Sequence, residues 1–204
     1  MSTGTKVIQF TTFPASEAFM ENRAYFSTSL ERIADANGLI SSFWGLQVPE
    51  EGAKMGYLIT VWDSSEHYRK FTTSDLFTSG MATLKEAAAG DLTRYQFIGV
   101  HGSPAPGLNA SITEVVIVKP NAGISGTEIK EAAYSLSNIF NSHGHPAAFG
   151  ESVNGDGVYL IVVGWPSISE SRTVVKTEPF ASKIGAFESL AKLSLSHTNL
   201  DRRP

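Results

Sequence analysis

The chain has 204 residues, no cysteine and a formal charge of −4. Disulfide frames, thiolate chemistry and cysteine metal sites are excluded, and the acid excess argues against a nucleic-acid partner, which needs clustered Lys and Arg. The first residues lack the basic start and apolar run of a signal peptide. The longest apolar stretch, Val158–Trp165, is too short for a bilayer, so a soluble cytoplasmic protein with no membrane partner is expected.

In chain order, Lys6–Phe13 is β-branched and aromatic and ends at a proline, which predicts a strand. Phe19, Phe26, Leu30 and Ile33 then recur at helical spacing, and Gly38 follows as a left-handed C-cap. Leu39–Gln47 and Tyr57–Trp62 predict a hairpin, Phe77, Met81 and Leu84 one face of a helix, and Arg94–Val100 a last strand. The Gly/Pro cluster Gly102–Gly107 has no apolar periodicity and predicts a linker. A second series follows: strand Thr113–Lys119, a helix with Ile129, Ala132, Leu136 and Ile139, and Gly144 as its cap. Ser125 to Glu128 has capping-box spacing at the start of that helix. Strands Pro146–Val153 and Val158–Trp165, a helix with Phe180, Ile184 and Phe187, and strand Ser194–Leu200 complete it.

The two series are one unit written twice. Trp62-Asp63-Ser64-Ser65-Glu66 is answered by Trp165-Pro166-Ser167-Ile168-Ser169-Glu170, with Ser74 and Phe77 answered by Thr177 and Phe180. Pro14, Leu30, Ile33 and Gly38 likewise precede Pro120, Leu136, Ile139 and Gly144 by 106 residues. Such self-similarity predicts a duplicated fold, with units at 1–101 and 112–204 and a linker at 102–111. Each unit reads βαββαβ, the ferredoxin-like order, so the fold class is α+β. A sheet with helices on one face needs a cover on the other. Two copies can supply it by packing sheet to sheet as an intrachain barrel, which predicts a monomer with an internal pseudo-dimer.

Trp62-Asp63-Ser64, followed by Phe71 and Ser74-Asp75-Leu76-Phe77, resembles the antibiotic-biosynthesis-monooxygenase type of dimeric α+β barrel, here in a tandem-fused form. That superfamily includes cofactor-free monooxygenases, heme-degrading enzymes, polyketide cyclases and stress-responsive members. The resemblance places the axial histidine of the heme-degrading branch at Met81 or Ile184, and its ring-distorting Trp at Phe71 or Val174. Neither copy has an iron ligand there, so no heme, and no other cofactor, is expected.

The resemblance also implies a substrate cleft between sheet and helices. Tyr25, Phe26, Phe43, Trp44, Tyr68 and Phe71 are candidates to line it, with Met81 from the later helix and Gln9 and Tyr25 as its polar groups. The second copy is less aromatic there, since Glu131 stands in register with Tyr25, which points to the first copy as the working half.

Among the histidines, His67 stands one turn before Phe71, and His197 shares a strand face with Leu193 and Leu195. Each is read either as a bland position or as a general base. His143 and His145 flank Gly144 without a third ligand, so no metal site is expected. Glycine-rich phosphate loops and nucleophile elbows are missing. The expectation is a cofactor-independent enzyme of monooxygenase or cyclase type acting on a hydrophobic aromatic or polyketide-like molecule, with His67 or His197 as base and Tyr25 orienting the substrate. The alternative is a non-catalytic small-molecule-binding or stress-response protein.

Overall fold

The computed structural model describes residues 5–24, 26–27 and 33–203, without the side chain of Arg203. It divides into two compact units, Met1–Ile98 with Asn199–Pro204, and Gly99–Thr198. Tyr25 and Leu30 lie outside the described residues.

The first unit contains β1 (Val7–Pro14), α1 (Glu17–Glu21), β2 (Leu39–Gln47), β3 (Met55–Trp62), α2 (Ser65–Phe71), α3 (Asp75–Ala87) and β4 (Thr93–His101), whose last residues belong to the second unit. Its sheet order is β4-β1-β3-β2, antiparallel throughout. The second unit contains α4 (Pro104–Leu108), β5 (Ile112–Pro120), α5 (Gly126–Ser142), β6 (Ala147–Ser152), β7 (Tyr159–Trp165), α6 (Ile168–Val174), α7 (Phe180–Leu190) and β8 (Ala191–Arg203). Its order, β8-β5-β7-β6, repeats that of the first. This is the ferredoxin-like arrangement that the duplicated element order implies.

The repeated Trp-x-Ser motif has a structural cause. Each Trp ends a central strand and is buried, while the Ser two residues on caps the next helix. Ser64 Oγ accepts from His67 N at 3.2 Å, and Ser167 Oγ from Glu170 N at 3.1 Å. The parallel stops at the following helix. Ser74 caps α3 through Phe77 N, but α7 begins after Pro179 with no side-chain cap, and Thr177 instead donates to Val174 O. Ser125 and Glu128 form the expected capping box.

The stretch expected as a linker is packed. Pro104 starts α4, a position where its missing N–H costs nothing, and Gly107 and Leu108 are buried. A Cβ at Gly107 would meet Val162 Cγ1 at 3.0 Å, tighter than an ordinary contact, so glycine suits the close approach of α4 to β7.

In the first unit the pleat assigns the faces. Gln9, Thr11, Leu58, Thr60 and Trp62 point to the helices, and Ile8, Phe10, Ile59 and Phe43 point the other way. The helix side carries one apolar cluster of Phe13, Phe19, Phe26 and Leu84 and another of Val7, Ala36 and Trp62. In the second unit a single cluster, including Val118, Ile129, Phe140, Phe149 and Trp165, fills the equivalent space.

Candidate functional site

The helix face of the first sheet holds a cleft. Its floor is Gln9, Thr11, Leu58 and Thr60, and its walls are Tyr68 and Phe71 from α2 and Phe77, Gly80, Met81 and Leu84 from α3. Ile33 and Arg94 complete the lining. Gly80 is a poor residue for a helix interior, but a Cβ there would meet Ile33 Cδ1 at 3.1 Å. The free volume is about 30 Å³, and ligand sites usually run to roughly 300–1,000 Å³, so any substrate enters by displacing side chains.

The polar groups are ordered. Arg94 donates to Tyr68 Oη at 2.7 Å, and its guanidinium lies 5.4 Å from the centroid of Phe77. Burial raises the Tyr68 phenol above its ordinary value, against the pull of Arg94, so the hydroxyl stays a neutral donor. Tyr68 and Phe71 are held in turn by Trp62, at ring-centroid distances of 5.5 and 4.8 Å. Trp62 Nε1 donates to Thr60 Oγ1 at 2.8 Å, which fixes both the indole and the floor. Among the described residues no histidine or carboxylate lines this cleft.

Of the residues expected in the cleft, Gln9, Tyr68, Phe71 and Met81 line it. Phe26 and Trp44 line a smaller adjoining cavity. Phe43 belongs to neither: it is fully buried on the opposite sheet face, paired with Ile59, because successive strand residues point to opposite sides. The sequence reading passed over Thr11, Thr60 and Leu58, which the period of two from Gln9 and Trp62 contains. It also passed over Arg94, which reaches the site through pairing of Thr11 with Arg94.

The two histidines stand elsewhere. His67 is half-buried on another side of α2, where Nδ1 pairs with Asp63 and with Ser64 Oγ, and its ring covers Gly38. It lines a separate depression that shares only Phe71 with the cleft. His197, in the second unit, is 5% exposed although Leu195 on its strand face is 49% exposed, so that face is not a uniform apolar surface. His197 Nε2 lies 2.9 Å from Ser171 Oγ and 3.1 Å from Glu114 Oε2, which also accepts from Trp165 Nε1 at 2.9 Å. Nε2 thus faces both the acid and the hydroxyl. The set is a satisfied buried cluster.

A third place is an open groove of about 410 Å³ in the second unit, between Val100 and His101 and the α5 residues Lys130, Glu131 and Tyr134. Two of its polar groups are engaged: His101 Nε2 with Asn138 at 3.0 Å, and Lys130 with Glu151 at 2.7 Å. Among the described residues no helix is long and apolar enough to cross a membrane, and no three His, Asp or Glu side chains cluster as metal ligands.

No family model and no curated protein matches the sequence. The whole chain is similar in structure to a candidate monooxygenase from Fusobacterium nucleatum, at 10% identity and a TM-score of 0.73, covering 98% of this chain and 94% of that one. An anthrone oxidase-like protein matches at 13% identity and a TM-score of 0.71, over 98% and 92% of the chains. A candidate monooxygenase from Lactobacillus acidophilus matches at 11% and 0.65, over 97% and 94%. Identities this low speak for the fold alone. The chain shares the fold of these proteins, with the ferredoxin-like unit present twice in one polypeptide.

Proposed function

We propose that the first unit is a cofactor-independent monooxygenase acting on a hydrophobic, enolisable aromatic or polyketide-like molecule, and that the chain works as a monomer. The observation that carries this reading is the Arg94–Tyr68 pair in a cleft whose other described lining residues carry no charge. A cation and a neutral phenol side by side stabilise an oxyanion, here with Arg94 exposed at the mouth and Tyr68 half-buried in the wall. With no histidine or carboxylate among the described lining residues, the cleft best serves a substrate acidic enough to bind as its own enolate. Cyclisation, which needs a placed base, is therefore less well served than oxygenation.

An anthrone-type methylene illustrates the balance. The enolate carbon bonds to one atom of O₂, protonation gives the hydroperoxide, and loss of the remaining C–H proton with the distal hydroxide leaves the ketone. Overall, R₂CH₂ and O₂ become R₂CO and H₂O. The printed name of one structural neighbour, an anthrone oxidase-like protein, motivates this choice of substrate.

The second reading is a non-catalytic binding protein, favoured by the small free volume and the lack of a base in the lining. Oxygen uptake with an anthrone decides between them. Uptake with quinone formation that falls in both Arg94→Ala and Tyr68→Phe supports the enzyme. Binding without uptake supports the alternative, and turnover unchanged in both variants removes this cleft from the reaction.

A further inference from the structure

The cleft adjoins the second, smaller cavity of about 10 Å³, walled by Phe13, Phe19, Phe26 and Trp44. Leu58 and Leu84 line both, one from the strand and one from α3. Among the described residues these two leucines are the ones common to both linings, and leucine side chains change rotamer without moving the backbone. The polar groups Gln9, Thr11, Thr60, Tyr68 and Arg94 all belong to the first cavity. The second is walled by aromatic rings, with Phe13 to Phe19 and Phe19 to Phe26 at centroid distances of 5.5 and 5.4 Å. Its Thr83 hydroxyl already donates to Ser79 O at 3.3 Å.

We propose that the two cavities are the ends of one channel for an elongated anionic amphiphile: an acyl or linear polyketide-derived chain. Its oxyanion sits at Arg94 and Tyr68, and its tail passes between Leu58 and Leu84 into the aromatic end. The charge of the lining suits an anionic head group, since among the described lining residues Arg94 is the one cation and no carboxylate opposes it in either cavity. The free volumes set the shape. Beyond the head-group cleft the space is narrow, and a tail one methylene wide enters it with the least displacement of side chains. This inference rests on reading the first cavity as the ligand site and adds the form of the ligand.

The test is calorimetric titration with straight-chain carboxylates from hexanoate to dodecanoate, beside 1-naphthoate as a compact anion. In the wild-type chain, affinity should rise about three- to fourfold per added methylene. Ala87→Leu, at a residue that lines the second cavity and not the first, should flatten that slope while leaving hexanoate and 1-naphthoate unchanged, and Arg94→Ala should weaken every member alike. A probe independent of that variant is a fatty acid brominated at its far end. It should quench Trp44 fluorescence, and the quenching should vanish in Trp44→Phe. Binding of 1-naphthoate with no dependence on chain length and no quenching overturns the channel but leaves the cleft reading intact. No binding of any anion overturns both.

Discussion

Glu114 and His197 face each other across β5 and β8, Oε2 to Nε2 at 3.1 Å, at the positions that Gln9 and Gln96 hold on the corresponding strands of the first unit. Ser171 stands in the same way for Tyr68, each six residues after its strand-ending Trp. The first unit thus keeps a lined cleft where the second has a closed cluster whose polar atoms satisfy one another. Duplication supplied two equivalent places, and side-chain chemistry made them different. Removing either member of the buried pair strands the other, so Glu114→Ala or His197→Ala should each cost about 3 kcal/mol. Urea unfolding of the singles and the double variant checks this. Strict additivity would show that the two groups are not coupled.

The raised Tyr68 has a consequence for alkaline pH. Its unfolded phenol titrates near 10.0 and its folded phenol higher, so the unfolded state loses this proton first. Stability is lost as pH climbs through the unfolded value towards the folded one. Ultraviolet titration should therefore show a late-ionising tyrosine that disappears in Tyr68→Phe, and that variant should unfold less readily at high pH than the parent. An unaltered titration curve in Tyr68→Phe would contradict the assignment.

Gly38 has φ +83°, and a Cβ there would run into the His67 ring. Gly38→Ala should cost at least about 1–2 kcal/mol from the left-handed backbone alone, with a steric addition. Adding His67→Ala should recover the steric part, and denaturant midpoints measure both.

Ser125→Ala removes the side-chain acceptor that caps α5 and should cost about 1 kcal/mol. Glu128, held below the usual carboxylate range by Ser125, completes the same box. Its contribution is present above the unfolded carboxyl value and fades as pH falls through the folded one. The difference between parent and Glu128→Gln in urea midpoint should accordingly shrink on acidification.

If one chain carries everything needed, light scattering should give a mass near 21.9 kDa. A dimeric mass would count against the monomer proposed above.

Much of this molecule was readable before any coordinates. Hydrophobic period and capping residues are local properties, so the duplicated βαββαβ order, the Ser64 and Ser167 positions and the apolar helix stripes follow from short stretches of chain. The same local rules place Gln9, Tyr68, Phe71 and Met81 at the cleft, and applied strictly they would have kept Phe43 away from Trp44. Which polar groups meet is a long-range matter. Arg94 reaches Tyr68 from 26 residues away and Glu114 reaches His197 from 83, through strand registers that no local pattern specifies. His67 was drawn aside by Asp63 and Ser64 within its own turn of helix, a competition between nearby acceptors that spacing alone does not rank. The sequence by itself determined the fold and its repetition, because burial and backbone hydrogen bonding act along the chain. Only the tertiary structure decided which half keeps an open cleft, because that depends on pairings between side chains far apart in sequence.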